Sequence, residues 1–404
     1  MKIAVLGYGV VGSGVVELIH KSPESIAKKA AMPIEIKYIL DIRDFDDSPY
    51  AKLFTKDFEV ILNDPEIEVV VEVIGGTKPA YDFVKKSLLS GKSVVTSNKE
   101  LVATHGDELL SIAKDRNLNF LFEASVGGGI PIIRPLNQCL AANDIQSISG
   151  ILNGTTNYIL TKMIKDGLSF DIALKNAQQL GYAEANPSAD VDGVDTCRKI
   201  SILASLAYGK HVDPNKVYTE GITKLTLEDV DFADKLGYAI KLLGIIKKQD
   251  DGNLFIMVSP FLVSKELPIS SVDDVYNAIL VEGDAVGLSL FYGRGAGKLP
   301  TASAVVADVI DCAKHINARK YLYWESSEGE FINDYKDMPC RRFIRISNSA
   351  CALENIKKIF DVEDTFETKD EISVIIGKIS EKMFNEKIDK YNGNVISNIR
   401  VFDI

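Results

Sequence analysis

Three features of the sequence predict an α/β fold built around a parallel sheet. Apolar runs of strand length recur with helical segments between them, a glycine-rich loop follows the first run, and 404 residues are enough for two or three domains. With 46% hydrophobic and 25% charged residues, the composition is that of a soluble globular protein.

The elements follow in order. KIAVLG is a strand ending at Gly7, and VVGSGVVELIHKS continues with helical spacing. IEIKYILDIRD, IEVVVEVIGG, KSVVTSN and NFLFEASVGGG read as further strands separated by helices, the pattern of a parallel sheet covered on both faces. GGGIP at 127–131 is the clearest compositional break and closes a first domain, 1–130. DIQSISGILNG then reads as a strand entering a loop, TNYILTKMIKDG and FDIALKNAQQLGYA as helices, and SILASLAYG as the continuation of a helix begun near Asp195. NLFIMVSPFLV and NAILVEGDAVGLSLFYG alternate as strands, giving a second, α+β domain over 131–300. TASAVVADVIDCAKHI is helical, with small residues suited to packing on the first sheet, so the chain is expected to return to the first domain around 300–316. RRFIRIS, LENIKKIF, EISVIIGKI and VISNIRVFD predict a small α+β module over 340–404.

Charge and composition exclude several functions. A net charge of −11 argues against a nucleic-acid surface, which needs clustered Lys and Arg. MKIAVLG is too short for a signal-peptide core, and no apolar run approaches bilayer length, so neither secretion nor a membrane is expected. The five cysteines are scattered without a CxxC pair and read as reduced thiols of a cytoplasmic enzyme. The four histidines lie far apart, so no zinc cluster is visible.

Gly7-Tyr8-Gly9-Val10-Val11-Gly12 is GxGxxG between a strand and a helix, the Rossmann-type dinucleotide loop. Gly7 permits the turn, Gly9 lets backbone approach a pyrophosphate, and Gly12 lets helix and strand pack closely; the helix N-terminus supplies N–H groups. In ILDIRD, Asp41 favours a ribose hydroxyl whereas Arg43 suits a 2′-phosphate, and Asp44, Asp46 and Asp47 would repel that phosphate. NAD and NADP both stay open on these charges, and so does a plain solvated loop.

Residues 181–199, GYAEANPSADVDGVDTCRK, place Glu184, Asp190, Asp192 and Asp195 in one Gly/Asn/Pro-rich stretch. Asp195 and Lys199 are four apart and share a helix face. A solvated acidic loop would carry the same residues as a site for a cationic substrate. Lys99, after KSVVTSN, and Thr77, in IGGTKP, stand at strand ends, where open α/β sheets bind ligands, although a lysine there is usually solvated.

Taken together in one order, GYGVVGSGV, SNKELVA, EASVGGGIPII, GILNGTTNYIL and GYAEANPSADVDGVDTCRK resemble the homoserine dehydrogenase family from residue 1 to roughly 316. The resemblance implies reversible oxidation of L-homoserine to L-aspartate 4-semialdehyde with NAD or NADP, in the route to threonine, methionine and isoleucine. It implies a Rossmann-type domain, an α+β catalytic and dimerisation domain, and a homodimer or higher homo-oligomer. By the same resemblance Glu184 and Asp190 bind the polar groups of the substrate, with Gly181, Tyr182, Gly154 and Thr155 as walls. Lys199 is the expected general acid/base, Asp195 its orienting partner and Lys99 an assistant at the cofactor–substrate junction. Thr77 and Gly297, the latter in YGRGAGKLPTASA, are expected at the cofactor beside the glycine loop and Arg43. Glu123 with the carbonyls of Val126, Gly128 and Ile130 is the implied site of a monovalent cation such as sodium, in a structural role.

Two ammonium groups around one oxygen depress each other's pKa while Asp195 opposes them, so oxidation is expected to speed up with pH. The C-terminal module resembles an ACT-type ligand-binding domain, but its first turn reads SNSACAL at 347–353 where an acid and Pro-Gly are usual. A structural module and a threonine sensor are both compatible with that turn. Two rival functions need different residues: an aldehyde dehydrogenase would need a nucleophilic Cys, for which Cys197 is nearest, and a dinucleotide sensor would not need Lys99, Asp195 and Lys199 together.

Overall fold

The computed structural model describes residues 1–318 and 322–403, so the last residue of the expected module, 404, lies outside it. The first sheet holds β1 (Lys2–Leu6), β2 (Glu35–Leu40), β3 (Phe54–Thr55), β4 (Ile67–Glu72), β5 (Ser93–Thr96) and β6 (Phe120–Leu121). All neighbours are parallel, in the order β3-β2-β1-β4-β5-β6. The order reverses between β1 and β4, which opens a crevice at their carboxyl ends. Successive residues of β1 enter opposite cores, Ala4 and Leu6 one and Ile3 and Val5 the other, so the sheet is buried on both faces. The connecting helices are α1 (Val10–Lys21), α2 (Pro23–Ala30), α3 (Phe58–Leu62), α4 (Ala80–Leu89) and α5 (Lys99–Asp115).

Two expected strands are shorter than the apolar pattern suggests. In NFLFEASVGGG only β6 is strand, because the Glu123 carboxylate accepts the N–H groups of Ile132, Ile133 and Arg134 at 2.6–2.9 Å and folds the chain back on itself. In IEIKYILDIRD the strand stops at Leu40, since the Asp41 side chain accepts from the backbone N–H of Tyr8 and of Arg43 and turns the chain.

The second region contributes β7 (Ile145–Ile151), α6 (Gly154–Asp166), α7 (Phe170–Gln179), α8 (Ser188–Val191), α9 (Val194–Tyr208), β8 (Tyr218–Thr219), α10 (Leu227–Lys235), β9 (Tyr238–Lys248), β10 (Leu254–Ser264), β11 (Tyr276–Gly283) and β12 (Gly287–Arg294). NAILVEGDAVGLSLFYG is the antiparallel hairpin β11–β12. The sequence reading passed over β9, whose YAIKLLGIIKK is apolar nearly throughout because both faces are covered. α11 (Lys298–Lys314) crosses back, placing Ala302, Val305 and Val309 in one core with Ile3, Val5 and Val15.

After α11 the chain bridges α5 and α9. Trp324 packs its ring against Gly106 of α5 and edge-on to Phe122, while Glu325 exchanges backbone hydrogen bonds with Gly209 and His211 just beyond α9. The remaining elements are β13 (Pro339–Ser347), α12 (Ala352–Ile359), β14 (Val362–Glu367), β15 (Glu371–Ser380), α13 (Glu381–Ile388) and β16 (Val395–Val401). They form a β-α-β-β-α-β unit with its antiparallel strands ordered β16-β13-β15-β14. β14 and α13 were not expected, since VEDTFE and EKMFNEKI carry little apolar pattern. The unit also extends the second sheet, because β16 pairs in parallel with β10. Buried arginines line this seam: Arg345 meets Asp229 at 2.8 Å and Glu371 at 2.9 Å, and Arg400 meets Glu220 at 2.7 Å and Glu381 at 2.8 Å.

Candidate active site

The glycine loop stands at the switch point. Gly7 has φ 98°, and a Cβ on Gly12 would overlap the Gly7 carbonyl, so both positions require glycine. Gly9 has open space on its Cβ side, and α1 begins at Val10 with no side-chain cap. The first N–H groups of α1, at Val10 and Val11, are therefore placed to meet an anion. Beside them Arg43 donates through Nε and Nη2 to the Asp41 carboxylate at 3.0 and 2.9 Å and through Nη2 to the Tyr8 carbonyl at 3.1 Å. The Arg43 hydrogen bonds hold the Asp41 carboxyl well below its ordinary range. Asp41 is thus already engaged, while the Arg43 side chain remains more than half exposed.

A second set of residues leaves the ends of β4 and β5. Fully buried Glu72 accepts from the N–H of Ile74 and Gly75 and from the Thr96 hydroxyl, the last at 2.6 Å, and burial pushes its carboxyl up. Asn98 caps α5 through Leu101 and donates to the Gly76 carbonyl at 2.6 Å. These bonds fix the loop carrying Thr77, whose hydroxyl donates to Glu100 at 3.2 Å, and the start of α5, where Lys99 stands. Glu100 also faces Arg198 of α9 at 3.3 Å, tying the two helices.

Lys99 and Lys199 meet at Asp195. Lys99 Nζ pairs with Oδ1, and Lys199 Nζ donates to Oδ2 at 2.7 Å and to the Leu152 carbonyl at 2.7 Å. Burial alone would raise the Asp195 carboxyl, but Lys199 and Lys99 outweigh it and hold it below the carboxylate range. Burial pushes the Lys199 ammonium down, the charge of Lys99 adds to the push, and Asp195 opposes it. Asp190 is brought to the same cluster by Asn153, whose amide donates to Asp190 Oδ1 at 2.7 Å and to Asp195 Oδ2 at 2.9 Å. Burial, with Asp195 nearby, raises the Asp190 carboxyl against the pull of Asn153.

The remaining positions of the stretch lie at the rim. Thr155 donates to the Tyr182 carbonyl at 2.7 Å, and the Tyr182 ring meets Tyr158 edge-on at 5.2 Å. A Cβ on Gly154 would sit 2.8 Å from the Val275 carbonyl, so α6 starts hard against that loop. Gly181, Glu184 and Asp192 are exposed. The Glu184 carboxylate has no hydrogen bond or ion pair among the described residues, its backbone carbonyl accepting from Gln178 at 3.1 Å. Cys197 donates to the Pro214 carbonyl, and burial pushes its thiol up, the reverse of what a nucleophile needs.

Glu123, Val126, Gly128 and Ile130 form a separate buried knot. Three N–H donors and the Arg134 guanidinium, 3.7 Å from Oε2, face the Glu123 carboxylate, and no hydrogen bond among the described residues reaches the carbonyls of Val126, Gly128 or Ile130. Unpaired carbonyls on buried residues beside a carboxylate suit a hard monovalent cation. The knot abuts the 294–297 loop: Gly129 N–H donates to the Arg294 carbonyl at 3.0 Å, and a Cβ on Gly128 would overlap Gly295. Gly297, with φ 120°, precedes α11 there. Among the described residues no helix is long and apolar enough to cross a membrane.

The homoserine dehydrogenase family model matches residues 131–310, and that of the homoserine dehydrogenase NAD-binding domain matches residues 7–123. The chain belongs to the homoserine dehydrogenase family. The homoserine dehydrogenase of Synechocystis sp. is 48% identical over 318 residues, 77% of this chain and 73% of the relative. The structure of the Thiobacillus denitrificans homoserine dehydrogenase superposes with a TM-score of 0.93 at 36% identity, covering 100% of this chain and 98% of that one. A hyperthermophilic archaeal homoserine dehydrogenase mutant in complex with NADPH gives a TM-score of 0.66 at 28% identity, covering 77% of this chain and 96% of that one. For a homoserine dehydrogenase-family chain, the sequence reading missed Asn153 and Glu72. Asn before a helix reads as an N-cap, which Asn153 also is, and Glu72 is one acid at the end of a strand of valines.

Proposed function

We propose that this chain catalyses the reversible NAD(P)-dependent oxidation of L-homoserine to L-aspartate 4-semialdehyde. The observation that carries the reading is the sharing of buried Asp195 by Lys99 and Lys199 at the mouth of a dinucleotide crevice. Lys199 is the general base. As a neutral amine it has two N–H bonds and one lone pair, and Leu152 and Asp195 take both N–H bonds, so the lone pair stays free for the substrate hydroxyl proton. Lys99 steadies the developing negative charge on the oxygen, and Asp195 keeps the two lysines in place. A bound nicotinamide would supply the hydride acceptor for the carbinol carbon.

Glu184 and Asp190 are proposed to receive the substrate ammonium, with Gly154, Thr155, Gly181 and Tyr182 as walls; the unpartnered Glu184 carboxylate supports this. Gly7, Gly9, Val10, Val11, Gly12, Arg43, Thr77, Lys99 and Gly297 would hold the cofactor, and Arg43 favours NADP. Glu123 with the carbonyls of Val126, Gly128 and Ile130 would hold sodium as a brace. Three units are proposed: 1–130 completed by 300–316, 131–300, and 340–404. A homodimer is supported by the exposed apolar side chains of Leu288, Leu290 and Tyr292 on the edge strand β12. An ACT-like ancestry of the C-terminal unit is supported by its strand order. A cytoplasmic location fits Cys139, Cys197, Cys340 and Cys351, which form no disulfide among the described residues. The test is to supply homoserine with NAD or NADP and follow the reduced nicotinamide; no reduction with either cofactor sinks the reading.

A further inference from the structure

We infer that Asn153 is a positioning residue that holds Asp190 and Asp195 at a set spacing and, through Asp195, orients Lys199. The inference rests on the proposed role of Lys199 as acid/base group. Asn153 is buried, and every polar atom of its side chain is used. Its two amide hydrogens go to Asp190 at 2.7 Å and Asp195 at 2.9 Å, and its oxygen accepts the Thr156 N–H at 2.8 Å as the N-cap of α6. A buried carboxylate, Asp195, and a half-buried one, Asp190, left to themselves would repel and separate. A planar amide with two hydrogens on one nitrogen joins them and fixes the angle between them.

The preceding residue joins the same arrangement, since the Leu152 carbonyl accepts from Lys199 at 2.7 Å. Residues 152–153 therefore hold both members of the Asp195–Lys199 pair from the end of β7. The side-chain chemistry at 153 is restrictive. Serine or aspartate would cap α6 equally well, but serine donates one hydrogen at most and ionised aspartate donates none. Capping alone does not call for asparagine; capping together with two carboxylates does.

The charged groups facing Lys199 are Asp195 on its own helix, Lys99 from α5 and Asp190 from α8. Without the Asn153 donor, Asp195 concentrates its charge on Lys199 and holds its ammonium more tightly. The experiment is Asn153→Ser and Asn153→Asp in the full chain, with homoserine kinetics across pH and thermal unfolding. Both variants keep the cap, so Asn153→Ser should melt near the parent, whereas Asn153→Asp, which buries a third carboxylate beside two others, should melt lower. Asn153→Ser should lower kcat/KM about ten- to hundredfold, the worth of hydrogen bonds to charged groups. KM for homoserine should rise, KM for the nicotinamide should hold, and the rising limb of the pH profile should move to higher pH. Asn153→Asp, which adds a third carboxylate, should lose more. Parent-like constants with an unmoved limb in Asn153→Ser would overturn the inference. So would a loss that merely tracks the folded fraction, which would leave Asn153 a helix cap. Turnover surviving in Lys199→Ala would instead overturn the acid/base reading itself, and this inference with it.

Discussion

Lys99 and Lys199 approach one carboxylate from opposite sides, Lys99 on Oδ1 and Lys199 on Oδ2 of Asp195. One lysine opens α5 after the first sheet and the other lies in α9 of the second region, so the pairing exists only when the two regions close on each other. The two are not equivalent: Lys199 is buried, whereas the Lys99 side chain is 40% exposed.

Lys199→Ala should lower the rate of homoserine oxidation by about 10²–10⁴, the usual worth of a positioned acid/base group. Dinucleotide affinity, measured by titration without homoserine, should hold, because among the described residues no hydrogen bond or ion pair joins Lys199 to the glycine loop. Near-parent turnover would refute the role.

The pH dependence follows from the same residue. Burial and the charge of Lys99 push the Lys199 ammonium below its ordinary value of 10.5, with Asp195 opposing. In the proposed mechanism the neutral amine is the base for oxidation, so oxidation should rise with pH through this lowered pKa. The ammonium is the acid for the reverse reaction, so aldehyde reduction should fall through the same window. Profiles of both directions on one preparation check the sign, and parallel profiles would contradict it.

Legibility was uneven for physical reasons. The glycine loop and the 181–199 stretch announce themselves because their chemistry needs unusual residue types close together, and the Asp195–Lys199 pair follows from helical spacing alone. The link from Asn153 to Asp190 and Asp195 spans a sheet, a loop and two helices, and no local pattern encodes it. β14 escaped notice because VEDTFE is a largely exposed edge strand whose partner β15 supplies the apolar face. NFLFEASVGGG misled because Glu123, which interrupts the strand, finds its three donors on a later turn.

Cofactor choice should turn on Arg43. Arg43→Ala removes an exposed guanidinium and also frees the Asp41 carboxylate from it, leaving only the backbone N–H groups of Tyr8, at 2.8 Å, and of residue 43, at 3.0 Å. A freed acid at that place favours a ribose hydroxyl and repels a 2′-phosphate. KM for NADP should rise roughly ten- to hundredfold, on the scale of a charge-assisted hydrogen bond, while that for NAD stays level or falls. Equal losses with both would leave Arg43 as a brace for the Tyr8 loop.

The C-terminal seam should resist dissection. Arg345 and Asp229 are both buried, and Arg345→Ala leaves Asp229 with only hydroxyl and backbone partners. Breaking such a pair costs about 3–5 kcal/mol, to be read from denaturant unfolding. A chain ending near residue 335 loses β16 from the edge of β10 and should be insoluble or inactive instead of released from control. An active, stable truncation would show that the seam is dispensable.

Threonine should therefore be tested on the full chain, and inhibition should be weak or absent. A regulator must bind one state better than the other, which requires a site with free donors. The turn after β13 has few to spare: Ser347 N–H donates to the Asn394 carbonyl, Asn348 N–H to Asp370, and the Asn348 amide to Thr368. Cys351 precedes α12 with φ 65°, a conformation that favours glycine, and its Cβ occupies space that a ligand's approach to the backbone would use. The expected result of a threonine titration during homoserine oxidation is a rate that stays level well past the concentrations that saturate the substrate site. A steep loss of rate at low threonine in the full chain would defeat the prediction.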